Sequence, residues 1–209
     1  MLLAATSHVL LLPAILGPVA LNGDNVFPND IVCASQNPAA QGQILAQMPG
    51  ALDAINAYDP SIGAQIQQGW GDGSVSIVPL DPTTSAGIYG ASDANTIGLS
   101  TTMNDGEFAA TLYHEWHHVR QLRPANEGGL PAEGVLSEAC REAHAYCAEL
   151  SFVCYTSTLA EIDQGEKPFS CHMIWTTWAY ALAFIVDCQL GSPGAPVPPL
   201  PSPCMNYCS

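Results

Sequence analysis

The densest cluster of metal-binding side chains in this 209-residue chain is the run His114-Glu115-Trp116-His117-His118, which fits H-E-x-x-H. On a helix, residues four apart lie one turn apart on the same face. His114 and His118 can therefore aim their imidazoles at one ion. Glu115 is rotated about 100° from His114, so it flanks the ion instead of binding it. That is the place for a base acting on metal-held water. His117 projects from another side and leaves the pair. A catalytic zinc site takes three protein ligands and keeps one position open, so a third donor is required. A third histidine in the pattern H-E-x-x-H-x-x-G-x-x-H is excluded, because Gln121 stands at the glycine position and Pro124 at the histidine position. What remains is a downstream carboxylate, and residues 134–149, "GVLSEACREAHAYCAE", supply candidates.

Here the chain resembles the gluzincins, in which H-E-x-x-H is followed by a glutamate on a second helix. "GVLSEACRE" is similar to the thermolysin-type segment, which carries Gly, then Asn-Glu-Ala, then an acid four residues after that Glu. The resemblance then implies that Glu138 binds the metal and that Glu142 fixes the tautomer of a ligand histidine. Ser137 in place of Asn and Glu142 in place of Asp depart from the pattern. A second alignment, of "EAHAY" with the Glu-x-x-Ala segment of other gluzincins, makes Glu142 the ligand and Glu138 its neighbour. Both alignments stay open. The resemblance spans about residues 112–146 and implies one Zn²⁺ ion and a metalloendopeptidase acting on a peptide or protein substrate. The alternative is a non-catalytic peptide-binding module, or a disulfide-braced extracellular one, with a structural or degenerate zinc site. The presence of Glu115 favours the enzyme, since a structural site has no use for a base there. Tyr146 and His172 are candidates for supporting the transition-state oxyanion. The plainer reading of each is a satisfied polar group at the edge of the core.

Several elements must position these residues. Asn104 followed by Glu107 makes a capping-box start. Phe108, Leu112, Trp116 and Val119 then form one apolar stripe at helical spacing, and Pro124 ends the helix. A second long helix is expected from about Gly134 to about Leu159, then a turn over 163–170 and a very apolar third helix over 171–190. That third helix is long enough for a membrane span. His172, Asp187 and its paired threonines instead favour a buried core helix. Upstream, 38–58 reads as one or two short helices broken near Pro49–Gly50, and "SVSIVPL" as a strand. Ile88–Ala91 and Thr96–Ser100 read as a hairpin. Its second strand, Thr96, Ile97, Gly98, Leu99 and Ser100, is the candidate edge for an extended substrate. The expected fold is α+β and zincin-like: a small, mostly antiparallel sheet or hairpin, the H-E-x-x-H helix, and two further long helices. The expected organisation is an apolar N-terminal segment over 1–24 with signal-peptide character, a catalytic domain over 25–190, and a proline-rich tail over 191–209.

Composition narrows the partners. Four basic residues against nineteen acidic ones give a net charge of -15. Nucleic acid and anionic membranes need clustered Lys and Arg, so both are excluded as partners. No membrane insertion of the mature domain is expected. Eight cysteines and the apolar N-terminus point to an oxidising compartment, secreted or periplasmic. Cys140, Cys147 and Cys154 recur every seven residues. At about 10 Å between neighbours along the helix they cannot pair with one another. Disulfides to cysteines elsewhere are expected.

Overall fold

A computed structural model describes residues 37–80, 89–123, 137–164 and 167–200, without the side chains of 158–172. The apolar segment 1–24, Cys33, Cys204 and Cys208 lie outside the described residues. Within them the chain is an α+β mixture of five helices and a three-stranded mixed sheet. Helix α1 spans Pro38–Tyr58. Asn37 caps it by accepting from the amides of Ala39 and Ala40 at 3.1 and 3.2 Å, with Pro38 in the first turn. The expected break at Pro49–Gly50 does not occur. An interior proline costs ~3 kcal/mol. Burying Ile44, Met48, Leu52 and Ile55, none more than 9% exposed, returns about 1.5–3 kcal/mol each and wins. Asp59 ends α1 and caps α2, Pro60–Gly71, through the amides of Ser61 and Ile62. Helix α2 is an addition to the expected elements.

The sheet comprises β1 (Ser76–Pro79), β2 (Gly90–Ser92) and β3 (Thr96–Leu99), in the order β1-β3-β2. The hairpin forms, with its first strand at Gly90–Ser92 instead of Ile88–Ala91, Ile88 lying outside the described residues. Asp93 shapes its turn, its side chain accepting from the amides of Asn95 and Thr96 at 2.7 Å each. The sheet is mixed and not mostly antiparallel, because β1 pairs with β3 in parallel, Ile77 opposite Ile97. This also corrects the candidate substrate edge. Strand β3 is central, both of its edges are hydrogen-bonded, and Ile97 and Leu99 are fully buried. Thr96–Ser100 has no free edge to offer. The two edge strands among the described residues are β1, where Pro79 is tolerated, and β2.

Helix α3, Asp105–Leu122, lies against this sheet. Phe108, Leu112, Trp116 and Val119 are buried in one core with Ile44, Met48, Ile66, Val75, Ile97 and Leu99. Helix α4, Glu138–Gln164, starts later and runs further than expected, and α5, Lys167–Gly191, begins within the expected turn. Pro168 does not prevent this, because a first-turn proline has no intrahelical amide bond to lose. The two helices pack extensively against each other. A second core cluster of Cys140, Ala143, Cys147, Ala181, Ile185 and Cys188 lies between them. Cys140 and Cys188 form a disulfide, and Cys154 is disulfide-bonded. Cys147 departs from expectation as a free, buried thiol that burial pushes up to about 11. Helix α5 is buried on one face only. Met173–Gly191 is long and apolar enough to cross a membrane, and Trp175, Val186 and Leu190 on it are exposed, so it is not the buried core helix expected. The described part of the tail is a strap, with Ala195, Val197 and Leu200 packed on the second cluster and the Pro196 carbonyl 3.1 Å from His144 Nε2.

Candidate metal centre

The capping box forms in full. Asn104 Oδ1 accepts from the amides of Gly106 and Glu107, and Glu107 Oε2 accepts from the Asn104 amide. With α3 fixed by its cap and its buried stripe, His114 and His118 project on the opposite side. Their Nε2 atoms lie 3.1 Å apart. Glu142, from the second turn of α4, completes a triangle: Oε1 is 3.2 Å from His118 Nε2 and Oε2 is 3.5 Å from His114 Nε2. Donors around a tetrahedral zinc, at bonds of about 2.0–2.1 Å, stand roughly 3.3–3.4 Å apart. These three distances fall near that spacing, the two to Glu142 running to its two different oxygens, and His114, His118 and Glu142 are a group able to hold a metal ion. Glu138 is exposed and outside this group. It sits one turn nearer the start of α4 and is not brought to the two imidazoles, unlike Glu142.

Hydrogen bonds behind the imidazoles decide where their lone pairs point. His114 Nδ1 donates to Glu149 Oε2 at 2.9 Å. His118 Nδ1 lies 2.9 Å from Gln121 Oε1. Gln121 Nε2 donates to the Arg141 carbonyl at 3.2 Å, so its Oε1 must be the atom facing His118, and His118 Nδ1 is the donor there. With both Nδ1 atoms donating, each neutral ring presents a bare lone pair at Nε2. Two such lone pairs and a carboxylate face one another within 3.5 Å. Only a proton or a cation among them relieves the repulsion. The titration behaviour carries the same signature. Burial works against a charged His114 ring, but Glu142 and Glu149 outweigh it and hold the ring well above the usual imidazole range. Burial alone would raise the Glu142 carboxyl, yet the two histidines hold it well below the usual carboxylate range. The side chains of Glu142 and His118 are 24% and 12% exposed, so the centre opens to solvent on the α4 side.

Glu115 is buried beside the group and is not one of its three donors. The Ser92 hydroxyl donates to its Oε2 at 2.7 Å. Gly90 permits the close approach of β2, since a Cβ there would stand 2.6 Å from Glu115 Oε1 and 2.5 Å from Thr111 Cγ2. Burial raises the Glu115 carboxyl, against the lowering pull of His114, His118 and Ser92. A carboxylate shifted toward neutrality suits proton transfer. The Tyr146 ring meets His114 edge-on at 4.3 Å and stacks with Tyr180 and Phe184, so it walls the site. His172 is described only as a position in α5, since its side chain lies outside the described set. His117 is held away from the group, its ring 5.0 Å from Tyr113, and burial pushes it down to about 3.

Two residues of the centre, Glu149 and Gln121, were not singled out from the sequence. Glu149 follows Glu142 by seven positions, two turns along the same face, a signal the cysteines at 140, 147 and 154 carry more visibly. Gln121 follows His118 by three, one turn on. Comparison with models of known protein families, with curated proteins and with solved structures returns no match for this chain.

Proposed function

We propose that this chain is a zinc-dependent metallopeptidase with a zincin-like fold and a gluzincin ligand set, acting outside the cytoplasm. The observation that carries the reading is the convergence of two imidazole lone pairs and the Glu142 carboxylate at 3.1–3.5 Å, with Glu115 buried alongside. His114, His118 and Glu142 hold the ion, and the nitrogen-rich donor set favours zinc over magnesium or calcium. When bound, the ion supplies Lewis acidity, which acidifies water and polarises a carbonyl. Glu115 takes the proton from the attacking water and passes it to the departing amine. Ser92 holds the Glu115 carboxylate in place for both transfers. The edge of β2, Gly90–Ser92, which has no strand partner among the described residues, runs beside Glu115 and suits an extended peptide better than β3 does. The Cys140–Cys188 disulfide supports an oxidising compartment.

The test compares wild type with Glu115→Gln on a mixed peptide library, alongside metal analysis. The expected outcome is about one equivalent of zinc in both proteins and a 10²–10⁴-fold loss of cleavage in the variant, the range for a general base. Equal, background-level cleavage by both would remove the peptidase reading.

A further inference from the structure

We infer that Gln121 is the positioning residue of this centre, a buried strut that sets His118 and Glu142 in register with each other. The inference rests on the metal reading above. Gln121 is only 2% exposed, and one amide does two things. Its Oε1 accepts from His118 Nδ1 at 2.9 Å, fixing the tautomer that leaves Nε2 free. Its Nε2 donates to the Arg141 carbonyl at 3.2 Å, on the residue next to Glu142. The two partners lie on different helices, 20 positions apart for the carbonyl, and Glu142 Oε1 sits 3.2 Å from the ring that Gln121 orients. His118 and Glu142 are thus referenced to one side chain.

The chemistry demands an amide of this length. Glu in the ionised form accepts from His118 but has no hydrogen to give Arg141. Met has the volume and neither function. Asn has both functions and is one methylene short of spanning the two partners. A residue that served only to fill the core would change stability and leave the zinc affinity of the folded protein alone.

The experiment measures zinc affinity by competition with a chromophoric chelator, and the visible spectrum after Co²⁺ loading, for wild type, Gln121→Met and Gln121→Asn. Ile55→Val, at a fully buried position on α1 that is no member of the metal group, shows what modest destabilisation alone does. The expected result is an affinity loss of about 10–100-fold for both Gln121 variants, the range seen when a hydrogen-bond partner of a ligand is removed. A changed Co²⁺ spectrum accompanies it, while Ile55→Val keeps wild-type affinity and spectrum. If Gln121→Met does not fold, Gln121→Asn carries the comparison. Folded variants that bind zinc within twofold of wild type, with an unchanged Co²⁺ spectrum, overturn the inference. Wild type that binds no zinc overturns the metal reading itself and the inference with it.

Discussion

Helix α3 brings His114, Glu115, His118 and Gln121 to the centre within eight consecutive positions, whereas α4 brings Glu142 and Glu149 from the far side of a connecting segment. On α3 the geometry is local. Helical pitch alone sets the two imidazoles side by side, and the cap and apolar stripe orient the whole face. On α4 the geometry is tertiary: Glu149 reaches His114 across 35 positions, and α4 is held by packing against α3 and α5 and by the Cys140–Cys188 disulfide. One half of the centre is therefore set by a single helix, and the other half only by docking. Damage to the first half should show in chemistry at Glu115, in helix stability at the cap, and in metal affinity at His114, His118 and Gln121. Damage to the second should show mainly in metal affinity.

The sharpest way to break this comparison is to remove the carboxylate that joins the halves. Glu142→Ala takes away one of three donors, and its expected effect is a zinc affinity loss of more than about a hundredfold, beyond the usual range for supporting residues. Glu138→Ala, one turn away and exposed, is expected to stay within about twofold, since it makes no contact whose loss the metal feels. Chelator competition on the two variants measures both. Losses of equal size would mean that α4 docks in more than one register.

The same division explains what was legible in the sequence. On α3 the helix, its cap and the placing of His114 and His118 on one face were legible, because the cap, the stripe and the i, i+4 pair are all helical periodicities. Even the capping box forms with both of its hydrogen bonds. The choice between Glu138 and Glu142 was not readable, because both are compatible with a helix and only the docking of α4 on α3 selects one. The sheet shows the same limit. The hairpin was visible in turn chemistry and alternation, but which strand lay at the edge depended on β1, whose parallel pairing leaves no local mark. Helix α1 ran through Pro49 because burial outweighed a local breaker, a decision made by the core. Gln121 and Glu149 have no visible role at the centre in the sequence alone, for a related reason. Neither type signals metal chemistry until its partner is known.

A smaller effect tests the remote half without touching a ligand. Glu149→Gln keeps the size of the side chain and an oxygen able to accept from His114 Nδ1, and removes the negative charge behind the ring. The expected outcome is a zinc affinity loss of about 10–100-fold, equivalent to about 1.4–2.7 kcal/mol. Thr177 Oγ1, 3.4 Å from Glu149 Oε1, remains in place to hold the amide. Wild-type affinity in this variant would mean that the hydrogen bond to His114 Nδ1, and not the negative charge behind the ring, is what Glu149 contributes.

The smallest expected effect lies at the start of α3. Asn104 is exposed, and its side chain accepts from the amides of Gly106 and Glu107 at 3.0 and 3.1 Å. Asn104→Ala leaves those amides to water and removes one side of the capping box, which costs about 1 kcal/mol of stability. The centre lies ten to fourteen residues further along, past two turns locked by Phe108 and Leu112, both fully buried. Fraying at the cap should stop there, because extending it would expose those side chains at about 1.5–3 kcal/mol each. The expected result is a lowered thermal midpoint with zinc affinity unchanged in the folded protein. A loss of zinc affinity beyond about tenfold, which is ~1.4 kcal/mol and more than the cap itself is worth, would mean that the α3 half is held by its end as well as by its buried stripe.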